Sequence, residues 1–231
     1  MKRTMITGSN RGLGLALTKE SLNRGDRVFA TCRRPDQARD LHQLREQHPD
    51  RLTVLGLDVT EEDTIAAAID AVADEADGLD LLINNAAINP EERLGALDPE
   101  TVLHTFRVNA VGPILVAQAS LDLLRAGDEP RILNISSTSG SLARKSSGGG
   151  YSYSSSKAAL NMLTRALAFD LKPDGMIVLA IHPGWVRTDM GGASAPLSPD
   201  ESARGVLHVA DDVTLDETGS FFRHDGREAP W

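Results

Sequence analysis

Tyr153 and Lys157 stand four residues apart in Tyr153-Ser154-Ser155-Ser156-Lys157. On a helix that spacing puts both side chains on one face. A free tyrosine has a pKa of about 10 and exchanges its proton reluctantly at neutral pH. A lysine ammonium beside it stabilises the phenolate and lowers that pKa, which would make the pair a general acid/base. Y-x-x-x-K alone is common by chance, and a Tyr and a Lys on a solvated helix face account for it equally well. Its weight comes from its company.

That company begins near the start of the chain, at Thr7-Gly8-Ser9-Asn10-Arg11-Gly12-Leu13-Gly14. The run follows a strand-like Thr4-Met5-Ile6 and opens a helical pattern reaching about Asn23. Glycines there let the backbone turn sharply and let a pyrophosphate approach a helix N-terminus, where free N–H groups favour anions. In isolation such glycines mark only a tight surface turn. Between a first strand and a first helix they predict nucleotide binding.

The elements that must position these residues alternate strand and helix from end to end, the pattern of a parallel α/β sheet. Further strands are expected at Arg27–Cys32, Leu52–Leu57, Leu79–Ile83, Arg131–Ile135, Met176–Ile181 and Ser220–Phe222. Helix starts are signed by Asp98-Pro99-Glu100, by a capping box at Ser198-Pro199-Asp200-Glu201, and by acids in Thr60-Glu61-Glu62-Asp63. Residues 136–156 are rich enough in Ser and Gly to pass for a linker. A buried strand before them and an apolar-periodic helix after them favour a loop close to a ligand. The expected fold is a single-domain Rossmann fold over 1–231, a doubly wound parallel sheet of about seven strands with helices on both faces.

Composition narrows the partners. The chain has 231 residues, 41% hydrophobic and 25% charged, the balance of an ordinary globular domain. A net charge of −9 with no basic block argues against nucleic acid. Cys32 is the only cysteine, and the six histidines form no i, i+4 pair, so neither a disulfide nor a metal site is expected. A strand beginning at once after Lys2-Arg3, and the lack of an apolar run near the roughly 18 residues of a membrane span, predict a cytoplasmic protein without membrane attachment.

The glycine spacing, T-G-x-x-x-G-x-G rather than G-x-G-x-x-G, together with Y-x-x-x-K, resembles the short-chain dehydrogenase/reductase family. Asn134-Ile135-Ser136-Ser137, Asn109 in Val108-Asn109-Ala110-Val111-Gly112-Pro113, and Pro183-Gly184 before Val186-Arg187-Thr188 match the family at the expected places. The ending, Thr218-Gly219-Ser220-Phe221-Phe222 to Trp231, looks like the branch of the C-factor signalling protein and the sniffer-type carbonyl reductases.

The resemblance implies that Ser137 holds the reacting oxygen, Tyr153 exchanges its proton, and Asn109 holds a water in a relay to Lys157. Ser136 stays open as the alternative serine, because the segment to Tyr153 is longer than usual. It further implies that Gly8, Asn10, Arg11, Gly12, Leu13, Gly14, Asp58, Val59, Asn85, Ala86, Pro183, Gly184, Val186 and Thr188 contact the cofactor, with Tyr153 and Lys157. Ala87 stands where the family usually has glycine.

An acid after the second strand would select NAD by binding the ribose 2′-hydroxyl. This chain has Thr31-Cys32-Arg33-Arg34 there. Arg33 can pair with a 2′-phosphate through charge-assisted bonds, and Arg11 is a second candidate. NADP(H) is the expected cofactor.

The expected activity is hydride transfer between the nicotinamide and a small carbonyl or alcohol substrate. The alternative is an NAD(P)-binding signalling or sensor protein of C-factor type with little turnover. Residues between Trp185 and Pro199 are expected to form a mobile lid, with Tyr151 and Trp185 adding aromatic surface to the pocket. Family members pair through the helices carrying Asn109 and Tyr153, which implies a homodimer or homotetramer, although some carbonyl reductases are monomers.

Overall fold

Short apolar runs between glycines and capping residues become strands buried on both faces, as a parallel sheet requires. The computed structural model describes residues 1–231. Its strands are β1 (Arg3–Thr7), β2 (Arg27–Cys32), β3 (Leu52–Gly56), β4 (Leu81–Asn84), β5 (Arg131–Ile135), β6 (Ile177–His182) and β7 (Phe221–Arg223). All pair in parallel, in the order β3-β2-β1-β4-β5-β6-β7. Strand β4 starts two residues later than the sequence suggests, because the Leu79 N–H bonds the Leu123 carbonyl outside the sheet.

The helices are α1 (Gly12–Asn23), α2 (Arg39–Gln47), α3 (Glu62–Glu75), α4 (Pro99–Phe106), α5 (Gly112–Ala119), α6 (Leu121–Arg125), α7 (Tyr151–Leu171) and α8 (Pro199–Asp212). The anticipated caps form: Asp98 accepts from the Thr101 N–H, and Ser198 and Glu201 make a reciprocal capping box. One core joins α1, α2 and α8 to one face of the sheet, and a second joins α3, α5 and α7 to the other.

A wide helical turn at Arg107–Val111 links α4 to α5, and the sequence pattern did not suggest it. Its cause is Pro113, four residues after Asn109. Proline has no N–H to give the Asn109 carbonyl, so the regular ladder cannot continue there. The Gly112 N–H reaches back five residues to the Arg107 carbonyl instead.

Strand order reverses at β1, which has β2 on one side and β4 on the other. Chains leaving the carboxyl ends of strands at such a point diverge and open a crevice. The candidate site lies there.

Candidate active site

The crevice is a cleft of about 1080 Å³, large enough for a dinucleotide with a second small molecule beside it. Every catalytic or cofactor-binding residue expected from the sequence lines it except Asn109, which is fully buried behind it.

At one end the glycine loop is held by close backbone packing. Gly8 has φ +69° and lies against Ala86, where a Cβ would come 2.9 Å from the Ala86 Cα. A Cβ on Gly14 would come 2.1 Å from the Gly8 carbonyl oxygen and 2.6 Å from Asn85 Nδ2. Asn85 in turn donates to the carbonyls of Thr7 at 2.9 Å and Gly8 at 3.1 Å. The Thr7 hydroxyl accepts from the backbone N–H groups of Asn85 and Ala86 at 3.0 and 3.1 Å. The loop is thus tied to the end of β4, and Gly12 and Leu13 open α1 with their N–H groups free for an anion. These bare positions form a cradle that side chains would fill, and they suit a pyrophosphate.

Further along this end, Arg33 and Arg34 stand exposed at the rim. Arg11 differs, being paired with Asp189 at 2.6 Å. The Asp58 carboxylate accepts from the Thr60 N–H at 3.0 Å and the Thr60 hydroxyl at 2.7 Å, which fixes its orientation at the wall. Val59 packs where Gly112 leaves room for it.

The other end is built of side chains. Ser137, which the resemblance favours, and Ser136, the alternative, diverge here. The Ser136 hydroxyl donates to Asn161 Oδ1 at 2.5 Å, deep in the protein. The Ser137 hydroxyl accepts the Ser139 N–H at 3.1 Å and bonds the Tyr153 phenol.

Lys157 is buried, donates from Nζ to the Ile135 carbonyl at 2.7 Å, and lies 5.9 Å from the centre of the Tyr153 ring. Burial pushes the Tyr153 phenol up, against the opposing effect of its bond to Ser137. Burial also pushes the Lys157 ammonium down to about 7. The net direction for Tyr153 is therefore upward, opposite to the one the spacing suggests. The low dielectric penalises both charges, and a half-neutral ammonium has less to offer.

Asn109 is committed on both sides of its amide. Oδ1 accepts the Ile88 N–H at 2.9 Å, and Nδ2 donates to the Ile88 carbonyl at 2.8 Å and to Ser156 Oγ at 3.1 Å. It thereby ties the wide turn before α5 to both the loop after β4 and α7.

After β6, the Pro183 carbonyl accepts from the Ser202 hydroxyl at 2.6 Å. Thr188 packs on Gly12, so this segment meets the glycine loop across the cleft. The segment expected to form a lid, between Trp185 and Pro199, is bonded within itself. Trp185 Nε1 donates to the Gly191 carbonyl at 2.7 Å, and Arg187 donates to the carbonyls of Ala195 and Pro196 at 3.0 and 2.9 Å. Val186 also bridges to Leu197.

Trp185 lines the cleft as expected, but Tyr151 does not, since the first residue of α7 points to the surface. Sequence reasoning missed His182, Arg34 and Gln37, which also line the cleft. Only the position of His182 beside Pro183-Gly184 could have signalled it.

Residues 2–197 match the family model described as short chain dehydrogenase. The chain is 44% identical over 154 residues to C-signal of Myxococcus xanthus, covering 66% of this chain and 93% of that protein. It resembles the carbonyl reductase Sniffer of D. melanogaster, with TM-score 0.95 and 36% identity over the whole of both chains. It also resembles the NADPH-bound carbonyl reductase from chicken fatty liver, with TM-score 0.94 and 34% identity, covering 100% of this chain and 99% of that one.

Proposed function

This chain belongs to the short chain dehydrogenase family, and from that premise we propose that it is an NADP(H)-dependent reductase of small carbonyl compounds, reversible as an alcohol dehydrogenase. The observation that carries the reading is the convergence of Ser137, Tyr153 and Lys157 on the cleft that the glycine cradle opens.

In this reading Gly8, Asn10, Gly12, Leu13 and Gly14 receive the pyrophosphate. Arg33, with Arg34 beside it, takes the 2′-phosphate. Asp58, Val59, Asn85 and Ala86 enclose the adenosine, and Pro183, Gly184, Val186 and Thr188 face the nicotinamide. NADPH, when bound, supplies the hydride. The NADPH bound to the chicken enzyme and the free arginines at the rim both support NADP(H) over NAD(H).

Ser137 holds the substrate oxygen, and Tyr153 delivers a proton to it as negative charge develops there. A phenol pushed up by burial holds its proton firmly, which suits the reducing direction. Lys157 resupplies the proton. Behind it, the Asn109 carbonyl, for which Pro113 offers no amide, holds the water that refills Lys157. Asn109 acts here through its main chain, its side chain being fully engaged.

The likeness to C-signal favours a second reading, a nucleotide-binding signalling protein. One experiment separates the two. A panel of aldehydes, ketones and quinones is offered with NADPH, and cofactor oxidation is followed. Turnover of at least one class is expected. Tight NADPH binding with no turnover of any compound would favour signalling.

A further inference from the structure

Helix α7 carries Tyr153 as its third residue, so the position of the phenol depends on the first turn of that helix. First-turn N–H groups have no partner inside their own helix, and an uncapped turn frays. Helices α4 and α8 are capped by the side chains of Asp98 and Ser198. Helix α7 begins instead at Gly150, which has φ +61° and no side chain to offer. The chain before it, 142–148, is exposed and rich in serine and glycine. No neighbouring side chain caps the start of α7.

The missing cap comes from 60 residues away. Glu92, in the loop after β4, accepts the Ser152 N–H through Oε2 at 2.9 Å. Ser152 is the second residue of α7, where a helix's own capping side chain would bond. The other carboxylate oxygen, Oε1, is buried without a partner, so the single hydrogen bond of this side chain is spent on α7.

The loop that carries Glu92 is itself fixed. Ile88, earlier in it, bonds Asn109 through both of its backbone groups at 2.9 and 2.8 Å. Asn109 also donates to Ser156 Oγ at 3.1 Å, and that hydroxyl donates to the Tyr153 carbonyl at 2.8 Å. The loop after β4 therefore grips α7 on either side of Tyr153, directly at Ser152 and through Asn109 at Ser156. Lys157 has a support of its own, the Ile135 carbonyl at 2.7 Å.

We propose that Glu92 is a positioning residue for the proton donor: by accepting the Ser152 N–H it closes the first turn of α7 and seats the Tyr153 phenol beside Ser137. The proposal rests on the reductase reading above. Without that bond the start of α7 loosens, and Tyr153 spends less time in place to give its proton. The glycine cradle and Lys157 keep their own supports.

The test compares the wild type with Glu92→Ala, Glu92→Gln and Glu92→Asp, using NADPH and the carbonyl compound of the panel that is turned over fastest. Glutamine keeps an acceptor at the same reach without the charge, and aspartate keeps the charge but draws the acceptor back by a methylene. Misplacing a reacting group costs rate steeply, so Glu92→Ala and Glu92→Asp should lower kcat about tenfold, with KM and NADPH affinity within about twofold. Glu92→Gln keeps the bond and should stay within about threefold of the wild type. Hydrogen exchange of the free protein, followed by mass spectrometry, should quicken at 151–156 in Glu92→Ala and Glu92→Asp and not in Glu92→Gln. Unchanged exchange along β1 and α1 reports that each variant is folded.

Wild-type kcat in Glu92→Ala and Glu92→Asp would overturn the proposal and leave the reductase reading intact. Glu92→Gln as slow as Glu92→Ala would overturn it too, as would a loss of turnover matched by an equal loss of NADPH affinity. If Glu92→Ala does not fold, Glu92→Asp decides in its place by the same criterion. Wild-type protein that oxidises no NADPH across the panel would remove the reductase reading itself, and the proposal with it.

Discussion

At the glycine-loop end of the cleft the groups proposed to bind phosphate are backbone, and side chains are omitted there. Gly8 and Gly14 sit where a Cβ would strike Ala86 and the Gly8 carbonyl. At the other end the proposed working groups are the side chains of Ser137, Tyr153 and Lys157, set in surroundings that penalise charge. The first end binds by shape and fixed dipoles, which change little with pH. The second depends on which groups carry protons, so its behaviour is tied to pH and to single atoms. Binding and turnover should therefore be separable by mutation.

Tyr153→Phe gives the largest expected effect and the sharpest form of that separation. It removes the proton and keeps the ring, so kcat should fall by about 10²–10⁴ while NADPH affinity barely moves. A parallel loss of NADPH affinity, by fluorescence titration, would mean that the two ends are not separable.

Lys157 tests the claim that burial governs the end built of side chains. Its pKa is about 7 in the folded protein, below the ordinary lysine value of 10.5. Between those values the unfolded chain binds more protons than the folded one, so stability from this group rises with pH. Lys157→Met removes the dependence. The wild type should therefore gain about 3 kcal/mol relative to that variant between pH 7 and pH 10, by urea unfolding of the free protein. A gap constant with pH would show that Lys157 is charged and comfortable.

Gly14→Ala probes the other end. The new methyl meets backbone on one side and the Asn85 amide on the other, with no flexible neighbour to yield. Overpacking of this kind costs about 1–3 kcal/mol. NADPH affinity should fall by a corresponding factor, with kcat at saturating NADPH largely kept. A variant with unchanged affinity and lowered kcat would reverse the comparison.

The smallest effect sharpens it within one end. NADPH should bind at least tenfold tighter than NADH, about 1.4 kcal/mol. Arg33→Ala should remove most of that gap and leave NADH affinity nearly unchanged. Undiminished discrimination would move recognition to Arg34 or to Arg11. For Arg11, that recognition would require it to leave Asp189.

Backbone-built features were the more legible in the sequence. Glycines at fixed offsets after a strand answer to one steric demand, a backbone that must turn sharply and be approached closely. The strand and cap signals near them came out within a residue or two. The resemblance favoured Ser137, but the residues alone did not separate it from Ser136, because both hydroxyls follow one strand and Asn161, 25 residues away, claims Ser136. Tyr151 misled for the same reason: an aromatic near the site in sequence proved to be outside it in space. The carbonyls that bond 185–197 to itself leave no trace in side-chain composition.

The sequence by itself determined the strand–helix alternation, the glycine cradle, the one-face pairing of Tyr153 with Lys157 and the arginines after the second strand. These follow from local periodicity and steric rules that act over a few residues. Only the tertiary structure decided the direction in which burial pushes Tyr153 and Lys157, the partners of the two serine hydroxyls, and the tie from Asn109 to Ile88 and Ser156. Those properties depend on desolvation and on partners brought in from distant parts of the chain. Burial is a property of the whole packed molecule, and no window of sequence contains it.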